Sequence, residues 1–268
     1  GVHVKKIICL ILVVLMLFTM CACGAKKEEA SDKKTFIMGI DVEYPPFSYI
    51  DDNGDITGFD VEVCQAVCEK LGWEFKYYSV NWDQKLVQLD SKECDCVWCA
   101  LTILDSMKEA GYVLSKPYFD STQVFVVKTD SGFTTSADMV GKDVAVQLGT
   151  SGQALISEGG ALEEMGASFN NIIACDSALK AFTELGGGAV DAFFVDKPVA
   201  EGYVADHEGF SIINENLGSE QYGIVYRSGD QELCDAIDAA VDELVKDGTY
   251  AKIADKYPEL KSNLLFLS

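Results

Sequence analysis
The apolar positions of the chain fall into short runs and helical stripes that take turns. TFIMGI (35–40) has the length and apolar character of a strand. In GFDVEVCQAVCEKL (58–71) apolar residues return at 59, 63, 67 and 71, with 64 and 68 beside them, which is one face of a helix. Gly72 supplies its C-terminal cap. EFKYYSV (74–80) then predicts a strand, WDQKLVQLD (82–90) a short helix and CDCVWCA (94–100) a strand. Strands alternating with helices over short connections argue for a parallel α/β layer.

The alternation pauses at STQVFVVKTD (121–130), an extended apolar run, and then starts afresh. DVAVQLGTSGQALISEG (143–159) reads as strand, glycine turn and helix, and NIIAC (171–175) as a strand. SALKAFTELGG (177–187) predicts a helix, DAFFV (191–195) a strand and DKPVAEGYVADH (196–207) a helix. A second extended run, QYGIVYRSG (221–229), follows. Two α/β units, each small for a doubly wound domain, predict two lobes joined by two crossing strands, with a cleft between them. The expected division is 35–125 with 224–268 for lobe 1 and 126–223 for lobe 2. The C-terminal helical stretches, DQELCDAIDAAVDELVKDG (230–248) and YAKIADKY (250–257), must return to the first lobe.

Ahead of the first strand stands another pattern. Lys5 and Lys6 precede 14 uncharged, apolar residues, Ile7 to Met20, too short for a comfortable membrane anchor but suited to an export signal. Small residues and Cys23 follow, so residues 1–22 are read as a lipoprotein signal with Cys23 as the lipidated residue. A charged stretch without a core pattern, 23–34, is read as a flexible tether. Multiple acyl chains on one amino terminus would hold the protein on the outer face of the cell membrane.

Removing Lys5 and Lys6 leaves 19 basic against 43 acidic residues, a net charge of −24. Such a field repels nucleic acid and anionic lipid, and no nucleic-acid partner is expected. Cysteines 64, 68, 94, 96, 99, 175 and 234 remain in the mature chain, an odd number that rules out a complete disulfide framework. Cys94, Cys96 and Cys99 sit at a spacing open to metal, but in a strand that reads as buried, and His207 is the one histidine left. No metal and no cofactor are expected.

DVEYPPFSYIDDNGDITGFDVEV, WDQKLVQL, LTI with LSKPYFDSTQVFVV, GKDVAVQLGTS, VDAFFVDKPVA, YGIVYRSGD and DGTYAKIADKY occur in this order and cover nearly all of residues 35–258. In them the chain resembles the amino-acid-binding lipoproteins that feed ABC importers, the polar amino acid class of extracellular solute-binding proteins. The resemblance implies a two-lobe α/β flytrap fold, a non-enzymatic monomer, an amino acid ligand and an importer permease as partner. It implies that Asp196 accepts the ligand ammonium and that Thr102 and the backbone near Ala100 contact the ligand's backbone groups. Thr150 and Ser151 open a helix where free N–H groups favour a carboxylate; a plain helix cap is the alternative. Tyr44 and Trp82 are expected as aromatic walls, Phe47 as core, and Pro45 and Pro46 as stiffeners of the loop that presents Tyr44. Asp41 and Glu43 are placed at the ligand's side-chain end.

The family pattern has an arginine five residues after the Thr102 position, and here that position is Met107, followed by Lys108. The chain's single arginine, Arg227, lies on the second crossing run. Lys108 is therefore the candidate cation for the ligand carboxylate, with a solvated helix lysine as the alternative. The lost arginine also leaves open a ligand without a free α-carboxylate. An exported enzyme or a sensory module on the same fold are the other readings, and the sequence carries no catalytic triad to favour the first.

Overall fold
The computed structural model describes residues 33–267. The apolar segment, Cys23 and most of the proposed tether lie outside the described residues. Twelve strands follow in chain order: β1 (Thr35–Ile40), β2 (Glu43–Tyr44), β3 (Ser48–Ile50), β4 (Ile56–Thr57), β5 (Glu74–Ser79), β6 (Cys96–Thr102), β7 (Val113–Leu114), β8 (Phe119–Lys128), β9 (Asp143–Gln147), β10 (Asn171–Cys175), β11 (Ala192–Asp196) and β12 (Phe210–Tyr226). The main sheet runs β10-β9-β11-β8-β12-β6-β1-β5, with β7 on β12, and β2-β3-β4 make a small antiparallel sheet.

The sheet has a parallel set at each end. β1 pairs in parallel with β5 (Thr35↔Glu74) and with β6 (Met38↔Cys96). β9 pairs in parallel with β10 (Val144↔Ile172) and with β11 (Val144↔Ala192). Between the sets, β8 and β12 run antiparallel to each other from Phe119↔Tyr222 to Lys128↔Phe210. These are the two crossing strands, and each set with its helices is one lobe of the flytrap.

Helices cover both faces, so the inner strands β6, β9 and β11 are buried on both sides and read as continuous apolar runs, while the edge strands β5 and β10 are largely exposed. Alternation of side chains divides them between two cores. In lobe 2, Phe125, Val127, Val144, Val146, Ala192 and Phe194 enter one cluster with Ile156 and Phe169. Their neighbours Val124, Val126, Ala145, Phe193 and Val195 enter the larger cluster on the opposite face. The helix Phe59–Leu71 buries Phe59, Val63, Cys64, Val67 and Cys68 on lobe 1 and ends at Gly72, whose φ of 69° is left-handed. The helix Gln231–Asp247 returns to that helix, where Lys70 meets Glu243 (3.4 Å) and Asp247 (2.9 Å). The seven cysteines among the described residues are free and buried, so they pack as small apolar side chains.

β12 starts eleven residues before the predicted run. Its first half carries Asn214, Glu215, Asn216 and Gly218, and its register with β8 shifts between Ile213 and Leu217 and again between Leu217 and Ser219. Pairing with β8 overrides the poor strand propensity of that segment. The irregular stretch sits where the chain passes between lobes.

Candidate functional site
The cleft forms at the carboxyl ends of parallel strands, where an α/β sheet leaves a crevice. β6 brings Ala100–Thr102 to it, β9 leads into Gly149–Ser151, and β11 ends at Asp196. The hairpin of β2 and β3 presents Tyr44, whose ring lies nearly parallel to Trp82 with centroids 6.4 Å apart. Phe47 points the other way and packs edge-on against Phe119 and Tyr222.

Ala100 holds φ at 43°, a left-handed conformation that costs a non-glycine residue about 1–2 kcal/mol. Asp60 fastens it: Oδ2 accepts from Ala100 N (2.8 Å) and from Tyr118 Oη (2.7 Å). Burial pushes the Asp60 carboxyl up to about 7, against the lowering effect of those bonds. The folded protein therefore binds a proton there that the unfolded chain releases near pH 4. The resulting destabilisation is absent below that pH, grows as pH rises and is complete above about 7, at about 1.4 kcal/mol per pH unit in between. Between pH 5 and pH 8, Asp60→Asn is expected to lose less thermal stability than the wild type; parallel melting curves at the two pH values check this.

The two lobes touch across the cleft. Lys85 Nζ donates to Gly149 O (2.8 Å), Gln147 Nε2 to Asp41 Oδ2 (2.6 Å) and Tyr203 Oη to Glu43 O (2.8 Å), and the Thr102 and Ser151 hydroxyl oxygens lie 3.1 Å apart. Gly149 lies so close to Asp83 that a Cβ there would stand 2.6 Å from the Asp83 Cα. This is the closed arrangement. Between the lobes it leaves a cavity of about 290 Å³, walled by Tyr44, Trp82, Leu104 and Met107 with Thr102, Ser151, Lys85 and Asp196 as polar groups.

Two carboxylates converge beside the cavity. Asp196 accepts from Tyr222 Oη (2.6 Å) and from Gln123 Nε2. Gln123 Nε2 also donates to Glu220 Oε1 (2.8 Å), while Glu220 Oε2 accepts from Thr102 Oγ1 (2.9 Å) and Ser151 Oγ (2.7 Å). Burial raises both carboxyls above their ordinary range; Glu220, further repelled by Asp196, is pushed up to about 8. Lys85, the one lysine lining the cavity among the described residues, donates to Trp82 O (3.0 Å) as well as Gly149 O, and burial lowers it to about 8.

Of the residues singled out from sequence, Tyr44, Trp82, Ala100, Thr102, Thr150, Ser151 and Asp196 line this one cavity. The Thr150 hydroxyl is engaged as a helix cap, donating to Gln147 O (2.7 Å) and accepting from Gln153 N (3.2 Å). Asp41 is not in the lining: it is buried behind it, held by Gln147 and by the Glu43 backbone N–H (2.9 Å). Lys108 is not in the lining either. Met107 is buried and faces the cavity, whereas Lys108, one residue on, keeps its side chain 62% exposed beside Asp105. A helix turns about 100° per residue, so only one of the two can point inward. Cys99 turns away from the cavity toward Ser48 Oγ (2.8 Å). Lys85, Gln123 and Glu220 were not foreseen. Lys85 precedes the buried Leu89 by four residues and so shares its inward helix face, which is a signal the sequence does carry.

A family model described as bacterial extracellular solute-binding proteins, family 3, matches residues 36–259. The L-cystine-binding protein TcyJ of Escherichia coli K12 is 30% identical over 232 residues, spanning 85% of this chain and 84% of TcyJ. The arginine-binding extracellular protein ArtP of Bacillus subtilis is 30% identical over 261 residues, spanning 94% and 98%. Among solved structures, holo ArgBP from T. maritima aligns with a TM-score of 0.71 at 33% identity over 83% of this chain and 95% of that one. A Streptococcus pneumoniae ABC uptake transporter substrate binding protein with bound histidine aligns with a TM-score of 0.78 at 26% identity over 83% and 91%.

Proposed function
The chain belongs to the bacterial extracellular solute-binding proteins of family 3, and from that premise we propose that it captures one amino acid between its lobes and hands it to an ABC importer permease. One observation carries the reading: the closed cleft holds a cavity in which a buried acid, two hydroxyls and two facing aromatic rings converge from both lobes. Asp196 takes the ammonium through charge-assisted hydrogen bonds, each worth roughly 1.5–3 kcal/mol. Thr102 and Ser151 take the carboxylate, and Tyr44 and Trp82 enclose the side chain.

The protein acts by binding and not by catalysis. The ligand favours closure because it touches both lobes, and the closed form is what the permease recognises. Lys85 in the wall disfavours a ligand side chain with a fixed positive charge and favours one that ends in an acceptor. The relatives named for cystine and arginine differ in that respect, and the reading sides with cystine or a neutral polar amino acid. The lysine-flanked apolar segment and Cys23 support attachment by lipid to the outer face of the membrane, with lobe boundaries at 125/126 and 223/224.

A thermal-shift series over the twenty amino acids, ornithine and cystine tests the proposal. A ligand at a hundred times its Kd stabilises the folded form by about 2.7 kcal/mol, so one group of related ligands should raise Tm by several degrees, with cystine or a neutral polar member above arginine. A flat panel contradicts the proposal.

A further inference from the structure
We infer that Glu220 is a positioning residue whose acid form turns the Thr102 and Ser151 hydroxyls toward the ligand carboxylate, so that a proton on Glu220 stands in for the arginine this cavity lacks. The inference rests on the amino acid reading above.

The geometry leaves the two hydroxyls little choice. Glu220 Oε2 lies 2.9 Å from Thr102 Oγ1 and 2.7 Å from Ser151 Oγ, and those oxygens are 3.1 Å from each other. An ionised carboxylate is acceptor only, and each hydroxyl has one proton. With Glu220 ionised, both protons are drawn to Oε2 and the hydroxyls show only lone pairs to the cavity. A ligand carboxylate placed at these two hydroxyls would then meet acceptors. With Glu220 protonated, its O–H donates to one hydroxyl, and that hydroxyl's proton is free to point at the ligand. The neutral acid also removes one of two negative charges beside the incoming carboxylate.

The surroundings favour the acid form at neutral pH. Asp196 faces Glu220 through the shared amide of Gln123, and Tyr44 and Tyr222 sit next to that pair. On the opposite side Glu220 shares a surface hollow with Lys108, Asp105 and Asp120, where Lys108 Nζ is 3.6 Å from Asp105. Within the cavity the cation is Lys85, which is occupied by two backbone carbonyls. Burial and Asp196 push Glu220 up to about 8, so its proton is present at pH 7 and is lost as pH rises through 8.

The test is a calorimetric titration of wild type and Glu220→Gln with L-cystine, L-glutamine and L-arginine from pH 6.5 to 9. Glutamine is a permanent donor of similar shape, so it should bind within a few-fold of wild type at pH 6.5. Above about pH 8 wild-type affinity should fall by about tenfold per pH unit relative to the variant, a ratio that cancels the ligand's own titration. Repeating the wild-type titration at pH 8.5 in buffers of different ionisation enthalpy should show proton uptake in excess of the variant's. A ratio that stays flat, a wild-type affinity that rises with pH, or proton release on binding overturns the role of Glu220. Wild type that binds none of the three probes at pH 6.5, while the panel above finds no other ligand, overturns the amino acid reading and this inference with it.

Discussion
Asp196→Asn should weaken amino acid binding by at least a hundredfold while leaving the fold as stable as the wild type or more so. The two halves of that result have separate causes. Asp196 is buried at the end of β11 and is the acid that lines the cavity. Its charge is what an ammonium needs, and removing one partner of a desolvated charge pair costs about 2–5 kcal/mol of binding, where each 1.4 kcal/mol is a factor of ten. In the empty protein that same charge lies against Glu220 with Gln123 between them. A buried carboxylate without a cation bonded to it is a liability even beside a protonated Glu220, and an amide relieves it while still accepting from Tyr222. Titration calorimetry and a melting curve on one preparation read both effects. A variant that binds like wild type removes Asp196 from the site; a variant that fails to fold shows Asp196 to be structural.

The second large effect is expected from Gly149→Ala. Gly149 has φ of 74°, and a Cβ there would stand 2.6 Å from the Asp83 Cα and 3.2 Å from its Cβ. Gly149 belongs to lobe 2 and Asp83 to the turn Trp82–Gln84 of lobe 1, so the clash exists only when the lobes are closed. The methyl group is expected to cost about 1–2 kcal/mol of stability through its left-handed backbone and, separately, to prop the cleft open. Closure then loses the Lys85 bond to Gly149 O as well. Affinity should drop by a hundredfold or more, and the radius of gyration in small-angle scattering should stay at its ligand-free value under saturating ligand, whereas the wild type contracts. Contraction equal to wild type would show that the two segments slide past each other.

Most of the fold was legible because inner strands buried on both faces and amphipathic helices leave distinct periods. TFIMGI and DAFFV needed nothing but their apolar content, NIIAC shows the same composition although it forms a largely exposed edge strand, and the helix ending at Gly72 announced its own cap. The start of β12 was not legible: INENLGSEQ is polar and holds a glycine, and it is a strand because β8 lies alongside it. The candidate site was legible as far as single positions go: Asp196, Thr102 and Ser151 all line the cavity. It was not legible where a role depends on what lies across the cleft. Asp41 has the charge of a ligand contact, yet Gln147 from the other lobe takes its carboxylate. Lys108 has the charge to replace an arginine, yet one residue of helical phase gives the inward place to Met107. Glu220 follows a glycine and serine in a stretch without period, and only the crossing of β8 and β12 brings it to Thr102 and Ser151.

The central claim is that one amino acid closes this cleft, and calorimetric titration of protein stripped of ligand by unfolding and refolding tests it most directly. The account predicts one site per chain, micromolar or tighter, for one chemically related group of amino acids, with the heat abolished by Asp196→Asn. Titrations without heat across the whole panel, from protein that has regained its cooperative melting transition, would contradict it.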